Sequence, residues 1–319
     1  MATDGSKKVV LAALVGNTLI SITKFTAAAY TGSSAMLSEA IHSMVDTGNQ
    51  GLILYGMARS KKPADDHHPF GYGMELYFWS FVVAILIFGV GAGVSIYEGI
   101  DKIRHPGVIT DAYINYLVLG AALIFEGIAW WIAMQEFRQT KGDMGYLEAI
   151  RQSKDAAIFT VLFEDTAAML GLLVAFVGIA LAEAINMPVL DGIASVIIGL
   201  ILATVAGVLA YECKSLLVGE SAGSPVIMGI RAIAVEDDGV EGVNELRTMH
   251  LGPKDVLVNI SLDFADTLSA TDIERTISRM ERAIKSAYPE VKRLFVEAQS
   301  LTSHLADLSS ERQDLEPGD

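Results

Sequence analysis

The sequence predicts an α-helical membrane protein: six transmembrane helices followed by a small cytosolic α+β domain. Three observations carry this reading. Of 319 residues, 52% are hydrophobic and 19% charged, against a charged share of about 25% in soluble domains. Six apolar stretches reach the ~20 residues that an α-helix needs to cross hydrocarbon. Beyond residue 211 the character changes to short segments punctuated by turn residues.

The spans are expected at 9–30, 35–57, 76–97, 112–134, 156–182 and 189–211. Lys7, Lys8, Arg59, Lys61, Lys62, Arg138, Lys141, Arg151, Lys154 and Lys214 then fall on one side, and Lys102 and Arg104 on the other. The excess of positive loops marks the cytoplasmic side and places both termini there. Gly89, Gly91 and Gly93 in the third span permit close helix approach. A Gly/Ser linker at 216–224 leads to a helix at 225–235. Alternating segments at 244–250 and 256–264 flank Gly252-Pro253 and read as a hairpin. Ser269 with Asp272 reads as a helix N-cap before the periodic run to Ala287. A last strand covers 291–298. The order αββαβ describes a two-layer domain. Domain limits of 1–212, 213–300 and 301–319 follow, the last a polar, acidic tail expected to be disordered.

His42 and Asp46 stand four residues apart inside the second span, on one helix face. Both are expensive in hydrocarbon, and an intramembrane ionisable residue is a functional-site hypothesis by default. At ~1.5 Å per residue, Asp46 lies roughly 16 Å deep and Asp165 of the fifth span roughly 15 Å. Glu164 is beside Asp165, and Glu126 of the fourth span lies roughly 20 Å from the outer face. Imidazole and carboxylate suit a divalent transition metal. Buried carboxylates favour the protonated form when empty, and an arriving cation displaces those protons. Metal and protons that compete for one site from opposite sides make an antiporter. Blander roles remain for each residue: an interhelical hydrogen bond for His42, ion pairs of Asp46 or Asp165 with Lys24, packing for Glu126. Glu164 and Asp165 point ~100° apart on a helix, so they do not both face one site squarely.

The formal net charge of −15 argues against nucleic-acid binding. The single cysteine, Cys213, excludes an internal disulfide or a multi-thiolate zinc site and reads as a buried or interfacial helix-end residue. No phosphate-cradling glycine loop or nucleophile motif points to an enzyme, and no prosthetic group is expected.

The motifs TGSSAMLSEAIHSMVD (31–46), HPFGYGMEL (68–76), DGIASVIIGLIL (191–202) and LLVGES (216–221), in this order among six spans, give the chain a resemblance to the cation diffusion facilitators. The likeness runs from about residue 8 to 299 and is nearest the branch with a Glu-Asp pair in the fifth span. It implies a homodimer with ferredoxin-like cytosolic domains that exchanges cytosolic metal for protons. It implies a transport site of His42, Asp46 and Asp165, with the family's fifth-span histidine falling at Val161; Glu164, or else Glu126 of the fourth span, is the candidate for the missing ligand. It further implies a loop site at Asp65 and His68, whose third histidine falls at Tyr72. Asp66 or His67 compensates there, or the loop is simply a solvated turn. His250 is the only histidine of the cytosolic domain before the tail, so dimerisation rather than regulatory zinc is expected of that domain. Zn²⁺ is the expected cargo, with Mn²⁺ or Fe²⁺ as alternatives, and a transport-inactive, membrane-anchored metal sensor is a second alternative. The absence of an Arg/Ser-rich presequence points to a bacterial plasma membrane.

Overall fold

The computed structural model describes residues 4–106, 112–141, 145 and 155–315. Arg151 and Lys154, used above for orientation, lie outside them. The chain divides into two units, Met1–Leu217 and Val218–Asp319.

The first unit is helical throughout: α1 (Asp4–Thr31), α2 (Ser34–Arg59), α3 (Glu75–Leu86), a π-helical stretch (Ile87–Ala92), α4 (Gly93–Arg104), α5 (Ala112–Lys141), α6 (Ala156–Ile185) and α7 (Val189–Val218). Each expected span is a helix, longer than its apolar stretch because polar ends continue the hydrogen-bond ladder. Among the described residues, four helical segments are long and apolar enough to cross a membrane: Glu75–Arg104, Tyr113–Arg138, Ala156–Ile185 and Val189–Val218. Helices α1 and α2 have spanning length, at 28 and 26 residues, but lower apolarity. The cause in α2 is an unusual polar load turned inward, including Glu39, His42, Asp46, Asn49 and Gln50, all buried.

Helix α2 packs against α1, α3 and α6, and its N-terminus is secured from far along the chain. Ser33 caps the helix by accepting from the Met36 amide at 3.2 Å. Asp191, in the first turn of α7, accepts from the Ser33 hydroxyl, the Ser34 hydroxyl and the Ser34 amide, each at 2.8 Å, and from the Ala35 amide at 3.3 Å. A buried helix start leaves orphan N–H groups, and a carboxylate there also complements the helix dipole. Asp191 therefore has a structural duty that explains why a charge is tolerated at zero exposure.

The close approach expected at Gly89, Gly91 and Gly93, within the protomer or across a dimer interface, is not made within this chain. A side chain at Gly89 would meet nothing within 4 Å, and those at Gly91 and Gly93 would have only ordinary contacts. The tight crossing is instead between α4 and α7. A Cβ on Gly99 would come 2.7 Å from the Gly192 carbonyl, and one on Gly192 would come 2.9 Å from the Gly99 carbonyl. Gly89 and Gly91 belong to the π-helical stretch.

The second unit contains α8 (Ser224–Val235), β1 (Val240–Gly252), β2 (Asp255–Phe264), α9 (Ala270–Ala287), β3 (Val291–Ala298) and α10 (Leu301–Leu315). The sheet order is β1-β2-β3, with β1 and β2 antiparallel and β2 and β3 parallel. Val256, Val258, Ile260 and Leu262 of the central strand alternate into the core, where Ile230, Met280 and Ile284 meet them. Ser269 and Asp272 form the anticipated capping box. Two expectations change. The unit begins at Val218 rather than 213, because α7 runs helical through Cys213. The tail expected to be disordered is helical to Leu315. Its start is held by the Leu301 amide donating to Asp263 at 3.0 Å and by the Ser303 amide donating to the Ser300 hydroxyl at 3.3 Å. Polar composition does not prevent a helix whose start is capped and anchored. Residues 316–319 lie outside the described ones.

Candidate metal site

His42 and Asp46 follow from helical spacing: residues four apart on α2 stack on one face. Their Nδ1 and Oδ1 atoms lie 3.4 Å apart, and both side chains are buried. On α6, Glu164 and Asp165 are buried as well. The two helices are tied by Asn49, one turn beyond Asp46, whose Nδ2 donates to Glu164 Oε1 at 2.8 Å.

Buried polar atoms in native proteins nearly always have hydrogen-bond partners. Here both ring nitrogens of His42, Asp46 Oδ1, Glu164 Oε2 and Asp165 Oδ2 have none. The carboxylate oxygens, and whichever His42 ring nitrogen carries no hydrogen, are lone-pair donors of the kinds that bind transition metals. Among the described residues, no three His, Cys, Asp or Glu side chains stand close enough together to hold one ion. The structure thus brings His42 to Asp46 and joins α2 to Glu164, but does not draw all of these residues onto a single point.

Lys24 does not pair with Asp46 or Asp165. Its Nζ donates to Glu39 Oε2 at 3.1 Å and to the Ser43 hydroxyl at 2.8 Å, with Glu126 Oε1 at 4.0 Å. Glu126 therefore belongs to a buried cluster built by α1, α2 and α5. Glu39, Asn49 and Asp191 contribute as well, in roles that the sequence does not assign to them. Glu39 and Asn49 flank His42 and Asp46 at helical spacing, which was a usable signal. The tie between Asp191 and Ser33–Ala35 spans 156 to 158 residues of chain and left no local mark.

In the loop after α2, Asp65 and His68 do come together, with His68 Nδ1 3.5 Å from Asp65 Oδ1. Tyr72 is a donor rather than a third ligand: its hydroxyl donates to Asp65 Oδ2 at 2.7 Å. The amides of His67 and His68 donate to Asp65 Oδ1 at 3.1 and 2.8 Å. The Tyr72 bond first, then the amides, hold the Asp65 carboxyl below its usual range. These bonds shape a turn and already occupy the carboxylate. In the second unit, His250 is buried, with Nδ1 3.3 Å from the Gly252 carbonyl oxygen.

A multi-pass helical membrane protein with metal-ligand types buried on facing helices, followed by a small α/β unit, defines a class of ion-handling membrane proteins. The cation efflux transmembrane domain matches residues 10–218, and the cation efflux protein cytoplasmic domain matches residues 224–298. The chain belongs to the cation diffusion facilitator, or cation efflux, family. It is 33% identical over 263 residues to the proton-coupled zinc antiporter SLC30A9, mitochondrial, of Homo sapiens, covering 82% of this chain and 46% of that protein. It is 26% identical over 280 residues to metal tolerance protein C4 of Arabidopsis thaliana, covering 87% and 61%. It is 25% identical over 311 residues to the manganese efflux system protein MneP of Bacillus subtilis, covering 94% and 95%. The chain thus spans about half the length of the human antiporter and rather more of the plant protein.

Proposed function

We propose that this protein is a proton-coupled antiporter that exports divalent transition metal from the cytosol, with Zn²⁺ as principal cargo. One observation carries the reading: His42 and Asp46 on α2, and Glu164 and Asp165 on α6, are buried and present lone pairs without hydrogen-bond partners. These are the proposed ligands. Protons and a divalent ion compete for the same lone pairs, so loading one releases the other. The similarity to a proton-coupled zinc antiporter supports both the cargo and the coupling. The protein works as a homodimer through its second unit, a reading supported by the match to the family's cytoplasmic domain. It changes the location of its cargo and not its chemistry, so it is not an enzyme. Its membrane is a bacterial plasma membrane, a reading supported by a bacterial relative at 25% identity, set against mitochondrial relatives at 33%.

Mn²⁺ is the second reading for the cargo. A valine at 161 and carboxylates at 164 and 165 make the α6 contribution all oxygen, and oxygen donors suit manganese. The test is proton flux in proteoliposomes on addition of Zn²⁺, Mn²⁺ or Fe²⁺, with Asp46→Ala as control. A zinc-evoked flux lost in the variant is expected. Flux with manganese or iron alone would keep the mechanism and change the cargo. Metal binding without any flux would favour a membrane-anchored sensor.

A further inference from the structure

The transport site as proposed lacks an imidazole on α6, and Glu164 stands in for it from an offset position. Something must aim that carboxylate at the α2 ligands, since Glu164 and Asp165 diverge by ~100° around the helix. Asn49 meets the requirement. It is fully buried, three residues beyond Asp46 and seven beyond His42, hence on the ligand-bearing face of α2. Its Nδ2 donates to Glu164 Oε1 at 2.8 Å, while Glu164 Oε2 has no hydrogen-bond partner. The amide NH₂ donates to one carboxylate oxygen, and the bond leaves the other for a cation.

We propose that Asn49 is the positioning residue that fixes Glu164 as the fourth ligand, its amide doing from α2 what a ligand's outer hydrogen-bond partner does in other metal sites. The inference rests on the reading of Glu164 as a ligand. It makes the Asn49–Glu164 pair, in place of an imidazole at 161, the feature that sets an oxygen-rich site. Outer partners of this kind typically change metal affinity by 10–100-fold.

The test is a double-mutant cycle on the purified full-length protein, titrated calorimetrically with Zn²⁺ and then Mn²⁺. Asn49→Ala is expected to weaken binding by about 10–100-fold, and Glu164→Gln by at least as much. The double variant is expected to bind no more weakly than Glu164→Gln alone, because Asn49 acts through Glu164. Adding Val161→His to Asn49→Ala is expected to restore zinc binding but not manganese binding, since imidazole suits zinc. That rescue also establishes that Asn49→Ala is folded, and Asn49→Ser replaces it in the cycle if it is not. Unchanged affinity in Asn49→Ala beside weakened Glu164→Gln overturns the positioning role and leaves the proposed site standing. Unchanged affinity in Glu164→Gln removes the ligand itself, and the inference with it. Additive losses make Asn49 an independent contributor and overturn action through Glu164.

Discussion

Lys24 is the residue whose surroundings most change how the site is understood. A lysine with no exposed surface is held by Glu39 and faces Glu126. Removing one partner of a buried ion pair leaves an uncompensated charge and typically costs about 3–5 kcal/mol, whereas replacing both by apolar groups is often neutral. Lys24→Met is therefore expected to lower the thermal midpoint of the detergent-solubilised protein, and Lys24→Met with Glu39→Leu to recover part of the loss. An unchanged midpoint in the single variant would show that the carboxylates do not depend on the lysine. Gly171 belongs to the same argument, because a Cβ there would run into Glu39 Oε1. His42, Asp46, Glu164 and Asp165 were legible in the sequence because each stands out against an apolar background. The partner of Lys24 was not legible: spacing along one helix gives the face a residue shares, and nothing in it says which helix lies opposite.

Helices meet in this protein where backbone touches backbone, and that defines the element-scale predictions. Gly99 and Gly192 approach so closely that a side chain on either must push α4 from α7, and overpacking of this kind costs about 1–3 kcal/mol. Gly99→Leu is expected to lower the melting temperature while Gly89→Leu leaves it in place, and equal effects would remove the distinction between the two glycines. The sequence showed a glycine-rich third span but not which glycine serves, because the facing glycine, Gly192, lies on another helix. The start of α9 was fully legible, since Ser269 and Asp272 carry their roles in their spacing. The Ser269 hydroxyl and then its amide hold the Asp272 carboxyl below its usual range. A depressed carboxyl stabilises the fold above its unfolded value of about 3.9, and the contribution is lost as pH falls through the lower folded value. Amide-exchange protection of the first turn of α9 is expected to fall across that acidic window in the native protein and to stay flat in Asp272→Asn.

Over the whole chain, hydropathy and turn residues gave the order of elements correctly, because spans and alternating strands are periodic and periodicity survives in a single sequence. The tail did not obey the same logic. Helix α10 is polar, and Leu301 and Leu305 on it are half-exposed or more, so it contributes little apolar burial. What holds it is polar: the Leu301 amide on Asp263 at the end of β2, and Gln299 Nε2 donating to Asp307 Oδ2 at 2.6 Å. Net contributions of such bonds are about 0.5–1.5 kcal/mol each. The buried cluster of the second unit, by contrast, runs from Ala222 to Val291 without α10. The proposed ligands, with Lys24, Glu39, Asn49 and Glu126, lie in Met1–Leu217, which has a buried cluster of its own. Deleting 301–319 is therefore expected to leave metal-driven proton flux and the dimer mass unchanged, and to lower the melting temperature only slightly. Loss of the dimer, measured by light scattering in detergent, would place α10 at the subunit interface and give its exposed leucines a partner. Loss of flux with the dimer intact would mean that the tail reaches the transport cycle by a route that these hydrogen bonds do not describe.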